Sequence, residues 1–451
     1  MKHRTIGTAA GKTLAKAVAI GAAGAMVFAV GACGSSNDAK DGGGNEITVA
    51  WWGNQSRNDK MTKVDDAFQN ANSGVKVNGQ ASQWGDYWSK LQVSAAGKSM
   101  PDVIAMDYSY LQQYVDNGLL EPLDDYIANG TIKTDGIDKG VLASGQLGGK
   151  QYAISSGSSS PAMLVNQTVL DQAGITLPEH MTVDQFKDIA RQVYEKTGYR
   201  TNFRYYDGVD LLEYTLRGKG KVLYGNNDGK LGVTAADVED YFKVYEDGIK
   251  EGWHLDTGVF ASLDASSVEQ DPLVYGTDPG SRSWVSFKFA TQLGAFQKAA
   301  AGNDNPTIKL YPWPAADVAK AGYVKPGQFW AISKMSKHKD LAAKYINWYT
   351  NDEEPVKIMG TDRGLPVNNN MLDKIKGDLS ESDQAAVEFL TKEVTPNSST
   401  INPPAPAGAS KVNGKDVIGT IEESVLMGKI SAADAATQFV DQANETLAKA
   451  K

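Results

Sequence analysis

After residue 45 the chain alternates short β-branched runs with segments of helical spacing. Residues 46–52 alternate and are rich in Ile, Thr and Val, which predicts a strand. Apolar residues between Met61 and Ala71 recur at helical intervals, which predicts a helix. The succession returns twice, with strands at 75–78 and 101–107 and helices around 87–95 and 110–115. Strands that alternate with helices favour a mostly parallel sheet with helices on both faces.

The later part of the chain carries further strand and helix signals. Residues 149–155 predict another strand. Two segments with the spacing of a capping box begin at Thr182 and Thr234, and each predicts the start of a helix. Further helices are predicted at 341–350 and 431–450. These elements favour a second α/β unit, and ligands of such folds bind beyond the carboxyl ends of the strands.

The N-terminus has the pattern of a secretory signal. Residues 1–16 carry four basic residues and no acid, and residues 17–32 carry no charge. The uncharged run is shorter than the about 20 residues that span a bilayer. Cys33 follows Val30-Gly31-Ala32 directly, which resembles the bacterial lipobox, in which the cysteine thiol takes a diacylglyceryl group. We therefore expect a signal at 1–32, lipid attachment at Cys33 and a flexible tether at 33–45; an uncleaved anchor helix is the alternative.

Composition excludes several classes of protein. The 451 residues include 45 Lys and Arg against 54 Asp and Glu, so the net charge of −9 argues against a nucleic-acid binder. The single cysteine excludes an intrachain disulfide and a multi-thiolate metal site. The sequence has neither HExxH nor GxSxG, so we expect no metal, no cofactor and no catalytic residues. Paired carboxylates leave an exported glycosidase as the alternative among enzymes.

Several stretches occur in an order and spacing typical of one family. They are ITVAWWGN (47–54), AFQNANSGVKV (67–77), PDV (101–103), YVDNGLLEPL (114–123), GKQYAI (149–154), LVN (164–166), AGITLP (173–178), TVDQF (182–186), FWAISK (329–334), AAKYI (342–346) and GLP (364–366). In this order the chain resembles the extracellular solute-binding proteins, family 1, of sugar ABC transporters. It departs from them at Val165, where a tyrosine is common, and in lacking a glycine pair directly before Phe329.

The resemblance implies an α/β, two-lobed periplasmic-binding-protein-like fold with a ligand cleft between interleaved lobes joined by hinge strands. Lobe 1 would hold residues 46–155 and 315–368, and lobe 2 would hold residues 156–310 and 372–451. The protein would be a monomer, lipid-anchored at the extracellular face of the membrane. The closed, ligand-bound form would dock on the permease subunits of an ABC importer.

A site for a neutral sugar needs aromatic faces together with carboxylates, amides and arginines. In the first lobe the candidates lie near predicted strand ends: Trp52, Asn54, Arg57, Gln83, Trp84 and Asp107. Each has a structural alternative. Trp51 and Trp52 face opposite sides of a strand, so one of them should be buried. Gln83 and Trp84 could start a helix, and Asp107 could cap one.

The remaining candidates come from the later segments. They are Tyr206, Asp207, Trp253, Trp284, Phe329, Trp330 and Arg363. Together these residues predict the capture of a carbohydrate, an oligosaccharide, for ABC import. A peptide- or polyol-binding receptor on the same scaffold is the alternative. A peptide site would show a paired acid and base for the termini, whereas a sugar site would show aromatic faces with few net charges.

Overall fold

The computed structural model describes residues 45–450 except 54, 205–207, 226–228, 264–266, 277 and 404. The predicted signal, Cys33 and most of the tether lie outside these residues, as do Asn54, Tyr206 and Asp207. No helix within the described ranges is long and apolar enough to cross a membrane.

The described strands are short, and most are buried. They are β1 (Glu46–Trp52), β2 (Lys76–Ser82), β3 (Val103–Met106), β4 (Gln146–Leu147), β5 (Lys150–Gln151), β6 (Ala153–Ser155), β7 (Ser158–Ser159), β8 (Pro161–Asn166), β9 (Val285–Phe289), β10 (Ile308–Tyr311), β11 (Lys325–Pro326) and β12 (Phe329–Ile332).

Helices connect and cover these strands. They are α1 (Gln55–Ala71), α2 (Trp84–Ala96), α3 (Tyr108–Asp116), α4 (Asp124–Ala128), α5 (Lys139–Ala143), α6 (Gln167–Ala173), α7 (Val183–Thr197), α8 (Asp210–Gly218), α9 (Ala235–Glu251), α10 (Thr257–Ala261), α11 (Leu293–Ala300), α12 (Val318–Ala321), α13 (Lys339–Asn351), α14 (Glu353–Met359), α15 (Asn369–Ile375), α16 (Glu381–Glu388), α17 (Ala409–Val412), α18 (Thr420–Leu426) and α19 (Ala432–Ala448). Both predicted capping boxes are confirmed, at the starts of α7 and α9.

The first sheet has the strand order β2-β1-β3-β12-β6. Strand β1 pairs in parallel with β2 and β3, so the carboxyl ends of all three meet at one edge. Strand β12 is antiparallel to β3 and β6. The prediction of a mostly parallel sheet therefore holds for the first three strands, while the strand that returns from the second half of the chain runs the other way.

The second sheet is antiparallel, with the order β10-β8-β9. Successive side chains of a strand face opposite sides. In β8, Met163 and Val165 belong to a core packed by α7, α9 and α19, whereas Ala162 and Leu164 belong to a core packed by α11 and α16. The second half therefore has an α/β composition, as predicted, with an antiparallel sheet at its centre.

Three segments link the two sheets and pack against one another. The first runs from β6 through β7 to β8, the second is β11 with β12, and the third contains Arg363 and Leu365. The Gly327 amide donates to the Gly157 carbonyl at 2.7 Å, and the Ser158 amide donates to the Leu365 carbonyl at 2.7 Å. A Cβ at Gly157 would lie 2.1 Å from the Arg363 carbonyl oxygen, so only glycine allows this approach. We propose that these three segments form the predicted hinge.

The predicted lobe boundary at residue 315 does not match the core in which the following residues pack. Ala315, Val318, Ala321 and Tyr323 pack in the core of the second sheet, not the first. Their apolar side chains are buried there because α12 lies against α8, and Gly218 of α8 approaches Ala315 closely. We therefore propose that the chain returns to lobe 1 near residue 324 and that lobe 2 includes residues 315–323.

Asp65 makes the stability of the first core depend on pH. It lies buried between α1 and α13 and accepts a hydrogen bond from the Tyr345 hydroxyl at 2.6 Å. Burial raises the pKa of Asp65 to about 7. The folded state therefore keeps a proton that the unfolded chain, with an Asp pKa of about 3.9, has lost. Stability should fall as pH rises from about 4 to about 7, because the unfolded state binds fewer protons in this window.

We expect Asp65→Asn to remove much of this dependence. Its free energy of unfolding should exceed that of the wild type by about 1–3 kcal/mol at pH 8 and should be nearly unchanged at pH 4.5. Denaturant unfolding at a series of pH values measures this difference. The neighbouring exposed Asp66, changed to asparagine, is the matched control and should keep the wild-type profile. An Asp65→Asn profile parallel to that of the wild type would contradict the assignment.

Candidate functional site

Aromatic side chains gather where the three parallel strands end. Trp52 closes β1, and Trp84 begins α2 directly after β2. Their ring centroids lie 5.0 Å apart in an edge-to-face arrangement. Trp52 is 6% exposed and Trp84 is 45% exposed. The buried ring of Trp52 therefore supports the ring of Trp84, which is exposed to solvent.

Two further rings from α2 and α3 extend this group. Trp88 stacks on Tyr110 with centroids 3.7 Å apart and lies 5.6 Å from Trp52. Tyr110 is partly exposed and lies 6.1 Å from Trp84. We call Trp52, Trp84, Trp88 and Tyr110 the aromatic edge. Trp84 and Tyr110 are the exposed members, and the buried Trp52 and Trp88 hold them in place. An exposed aromatic ring suits the apolar face of a flat ligand ring.

A cavity of about 210 Å³ lies where the two halves of the molecule meet, and α3 contributes to both sites: Tyr108 and Ser109 line the cavity, and Tyr110 belongs to the aromatic edge. One wall is formed by Asp107, Tyr108 and Ser109, which follow β3. The opposite wall comes from α8 and from the loop that contains Asn402. The Tyr108 hydroxyl donates to the Asn402 carbonyl at 2.6 Å, so the two walls are in direct contact. The cavity thus lies at a strand end, as expected for this class of sheet.

The polar groups of the cavity are bonded to one another. The Arg217 guanidinium donates to Asn402 Oδ1 at 2.6 Å and to Ser399 Oγ at 2.6 Å. Burial raises the pKa of Glu213 and lowers that of Arg217. Lys325 Nζ lies 3.6 Å from Asp210 Oδ1. Acids, amides, hydroxyls and cations therefore stand close together with little net charge, as hydrogen bonding to a neutral polyhydroxy ligand requires.

Of three predicted residues of the first lobe, two have partners of their own and one is exposed. Asp107 accepts from the Ser109 amide at 2.9 Å and thus caps α3, although it also lines the cavity. Gln83 precedes α2 as an exposed residue and makes no side-chain cap. Arg57 Nε binds Asp362 Oδ1 at 2.5 Å, so its guanidinium ties α1 to the third linking segment.

Four predicted aromatic residues are buried in the cores, which corrects their assignment to the cleft surface in this conformation. Trp253 and Trp284 lie in the core of the second sheet, and their indole nitrogens donate to Glu251 and Thr201. Phe329 and Trp330 lie in the core of the first sheet, where β12 is flanked on both sides. Both rings are fully buried, so neither presents a face to a ligand.

Arg363 is also buried, between the rings of Trp52 and Trp330. Its guanidinium carbon lies 5.8 Å and 5.4 Å from their centroids. Burial lowers the pKa of Arg363 to about 10. The Arg363 side chain thus packs against Trp52, one of the rings of the aromatic edge.

The sequence reasoning missed most of the polar cavity. Asp210, Glu213 and Arg217 have the spacing of one helix face, which was the available signal. Trp88 lies one helical turn after Trp84 in α2, and Tyr110 lies three residues after Asp107 in α3. Asn402 carried no signal, because its role depends on contacts with residues far away in the chain. Within the described ranges no group of three His, Cys, Asp or Glu side chains could hold a metal ion.

Comparison with known proteins decides the family. The sequence model of the bacterial extracellular solute-binding proteins matches residues 63–388, well over half of the chain. The chain belongs to this family. The resemblance found in the sequence is thereby confirmed.

Two relatives of this solute-binding protein are similar to it over part of the sequence. A binding protein of Brucella abortus (strain 2308) is 25% identical over 194 residues, which cover 42% of this chain and 46% of the relative. The maltotriose-binding protein of Pyrococcus abyssi (strain GE5 / Orsay) is 21% identical over 305 residues, covering 65% of this chain and 61% of the relative. The chain therefore spans about half to three fifths of the length of these relatives.

Solved structures share the fold over nearly their whole length. An extracellular solute-binding protein family 1 from Alicyclobacillus acidocaldarius has a TM-score of 0.72 at 23% identity, covering 89% of this chain and 98% of its own. A periplasmic oligogalacturonide-binding protein from Yersinia enterocolitica has a TM-score of 0.71 at 18% identity, covering 90% and 99%. The predicted two-lobed α/β fold of this solute-binding protein is confirmed.

Proposed function

We propose that this solute-binding protein captures a carbohydrate, an oligosaccharide, in the cleft between its lobes and delivers it to the permease of an ABC importer. The observation that carries the proposal is the aromatic edge, above all the exposed ring of Trp84, which contacts Tyr110 of α3, the helix that also lines a cavity rich in hydrogen-bonding groups. A sugar ring has apolar faces and a rim of hydroxyl groups. The aromatic edge suits the apolar faces, and the polar cavity suits the hydroxyl groups. We propose binding without catalysis, since the family consists of binding proteins.

We propose that the ligand has more than one sugar ring, because the cavity and the aromatic edge are two separate contact areas. The cavity of about 210 Å³ is smaller than the roughly 300–1,000 Å³ of typical ligand pockets. An oligosaccharide would place one part in the cavity and another on the aromatic edge. The printed names of two similar proteins, maltotriose-binding and oligogalacturonide-binding, agree with this ligand class.

A peptide or polyol receptor is the second candidate, and one observation favours it. The cavity contains an acid and a base close together, Asp210 and Lys325, which could receive the termini of a peptide. Against this, the pair is already self-compensated at 3.6 Å, and the aromatic edge would be left without a role.

A thermal-shift panel separates these candidates. Mono- and oligosaccharides, polyols and short peptides are each added in excess, since a ligand at about 100 times its Kd stabilises a protein by about 2.7 kcal/mol. We expect a rise in Tm with an oligosaccharide and none with peptides. The recovered saccharide should be intact by mass spectrometry. A shift with peptides alone would favour the second candidate, and release of shorter sugars would favour a glycosidase.

We further propose that the protein is attached by lipid at Cys33 to the extracellular face of the membrane. The support is the basic segment, the uncharged run and the single cysteine of the sequence. Replacing Cys33 by serine should move the protein from the membrane fraction to the soluble or secreted fraction, measured by immunoblot of both. Retention of Cys33→Ser in membranes would contradict lipid attachment and favour an anchor helix.

A further inference from the structure

The buried guanidinium of Arg363 lacks a counter-charge of its own. The residue is 4% exposed, and no protein atom in the described part of the chain accepts a hydrogen bond from its Nε, Nη1 or Nη2. The rings of Trp52 and Trp330 give it apolar and cation–π contacts only. Burying a charge in this way is costly unless hydrogen bonds or an opposite charge compensate it.

Asp362, the preceding residue in the chain, is already shared by two other cations. Asp362 Oδ1 binds Arg57 Nε at 2.5 Å, and its Oδ2 lies 3.8 Å from Lys60 Nζ. Arg363 interacts electrostatically with the same carboxylate, so three cations share one acid. The region has an excess of positive charge that a bound anion would offset.

Arg363 also lines a small cavity. Its volume is about 20 Å³, and Arg363, Tyr349, Thr350 and Ser156 contribute to its lining. The other lining residues are apolar or glycine, and none is acidic. A guest of one water-sized volume needs roughly 10–15 Å³ by this measure, so the cavity admits one small species and excludes a sugar ring or a sulfate ion.

We propose that Arg363 and Tyr349 hold one monovalent anion of the size of chloride in this cavity. The guanidinium and the Tyr349 hydroxyl supply hydrogen-bond donors, and an anion can accept from all of them. A water molecule would need acceptors for its own two protons and would leave the charge of Arg363 uncompensated. This inference does not depend on the identity of the solute.

The position of the site gives the anion a structural consequence. The Arg363 carbonyl lies against Gly157 and Gly327, where the three linking segments meet. An anion bound to the side chain of the same residue would stabilise this crossing. Halide should therefore raise the stability of the folded protein through Arg363.

The test combines halide titration with bromide crystallography. We expect the Tm to rise by about 2–4 °C, saturably, between zero and about 200 mM chloride or bromide, with sodium gluconate keeping the ionic strength constant. Arg363→Met should abolish this rise. Arg200→Met, which removes a partly exposed arginine paired with Asp256, is the matched control and should retain it. Crystals of the wild type grown in bromide should show an anomalous peak beside the Arg363 guanidinium.

The bromide crystal keeps the inference testable if Arg363→Met fails to fold. An anomalous peak within hydrogen-bond distance of Arg363 supports the site. Absence of a peak there, or a halide response that Arg363→Met retains, would overturn it and leave water as the species that serves the guanidinium.

Discussion

Replacing Trp84 by alanine should weaken oligosaccharide binding about tenfold or more, while leaving the Tm within a few degrees of the wild type. The ring of Trp84 is 45% exposed, so its removal costs the core little. Stacking of flat ligand rings on aromatic side chains is worth about 1–3 kcal/mol in nucleic-acid sites, and the apolar face of a sugar should gain a comparable amount. Isothermal titration with the saccharide that gives the largest thermal shift measures the change.

Tyr275 provides the matched control for this experiment. It is an aromatic residue of similar exposure, 49%, that lines neither the cavity nor the aromatic edge. Tyr275→Ala should bind the saccharide with wild-type affinity. An unchanged affinity for Trp84→Ala, or an equal loss in both variants, would contradict the role of the aromatic edge.

Replacing Gly157 by alanine should destabilise the crossing of the linking segments and weaken ligand binding. The new Cβ would stand 2.1 Å from the Arg363 carbonyl oxygen and 2.7 Å from its carbon, so backbone must move. Overpacking of this kind costs about 1–3 kcal/mol, occasionally more. If ligand binding favours a closed form that contains this crossing, a change that strains the crossing should lower affinity as well.

Gly377→Ala is the control, since a Cβ there meets nothing within 4 Å. Denaturant unfolding measures the free energy of unfolding of both variants, and saccharide titration measures their affinity for the ligand. We expect Gly377→Ala to match the wild type in both. If Gly157→Ala keeps wild-type stability and affinity, the close contact is not part of the form that binds ligand.

The strand ends of the first lobe could be predicted because their signals are local. Trp52 and Trp84 each end or follow a strand whose alternation is visible in the sequence, and parallel pairing brings such ends together. The capping boxes of α7 and α9 were predictable for the same reason, since their residues are three positions apart.

The buried aromatics were mistaken because local pattern does not reveal how many neighbours cover a segment. Trp284 lies in a serine-rich stretch that looks exposed, yet its ring packs on Phe186 from a helix about a hundred residues earlier. The family resemblance placed Trp330 at the cleft, but its ring is fully buried against Tyr345 and Tyr349 of α13. The polar cavity was missed because Arg217 and Asn402 meet only in three dimensions.

A crystal structure with the saccharide that binds most tightly tests the proposed binding site directly. We expect one sugar ring against the exposed ring of Trp84 and another part of the ligand within hydrogen-bond distance of the cavity residues, among them Asp107, Glu213 and Arg217. A saccharide bound away from both the aromatic edge and the cavity would contradict it, as would the failure of every saccharide in the panel to bind.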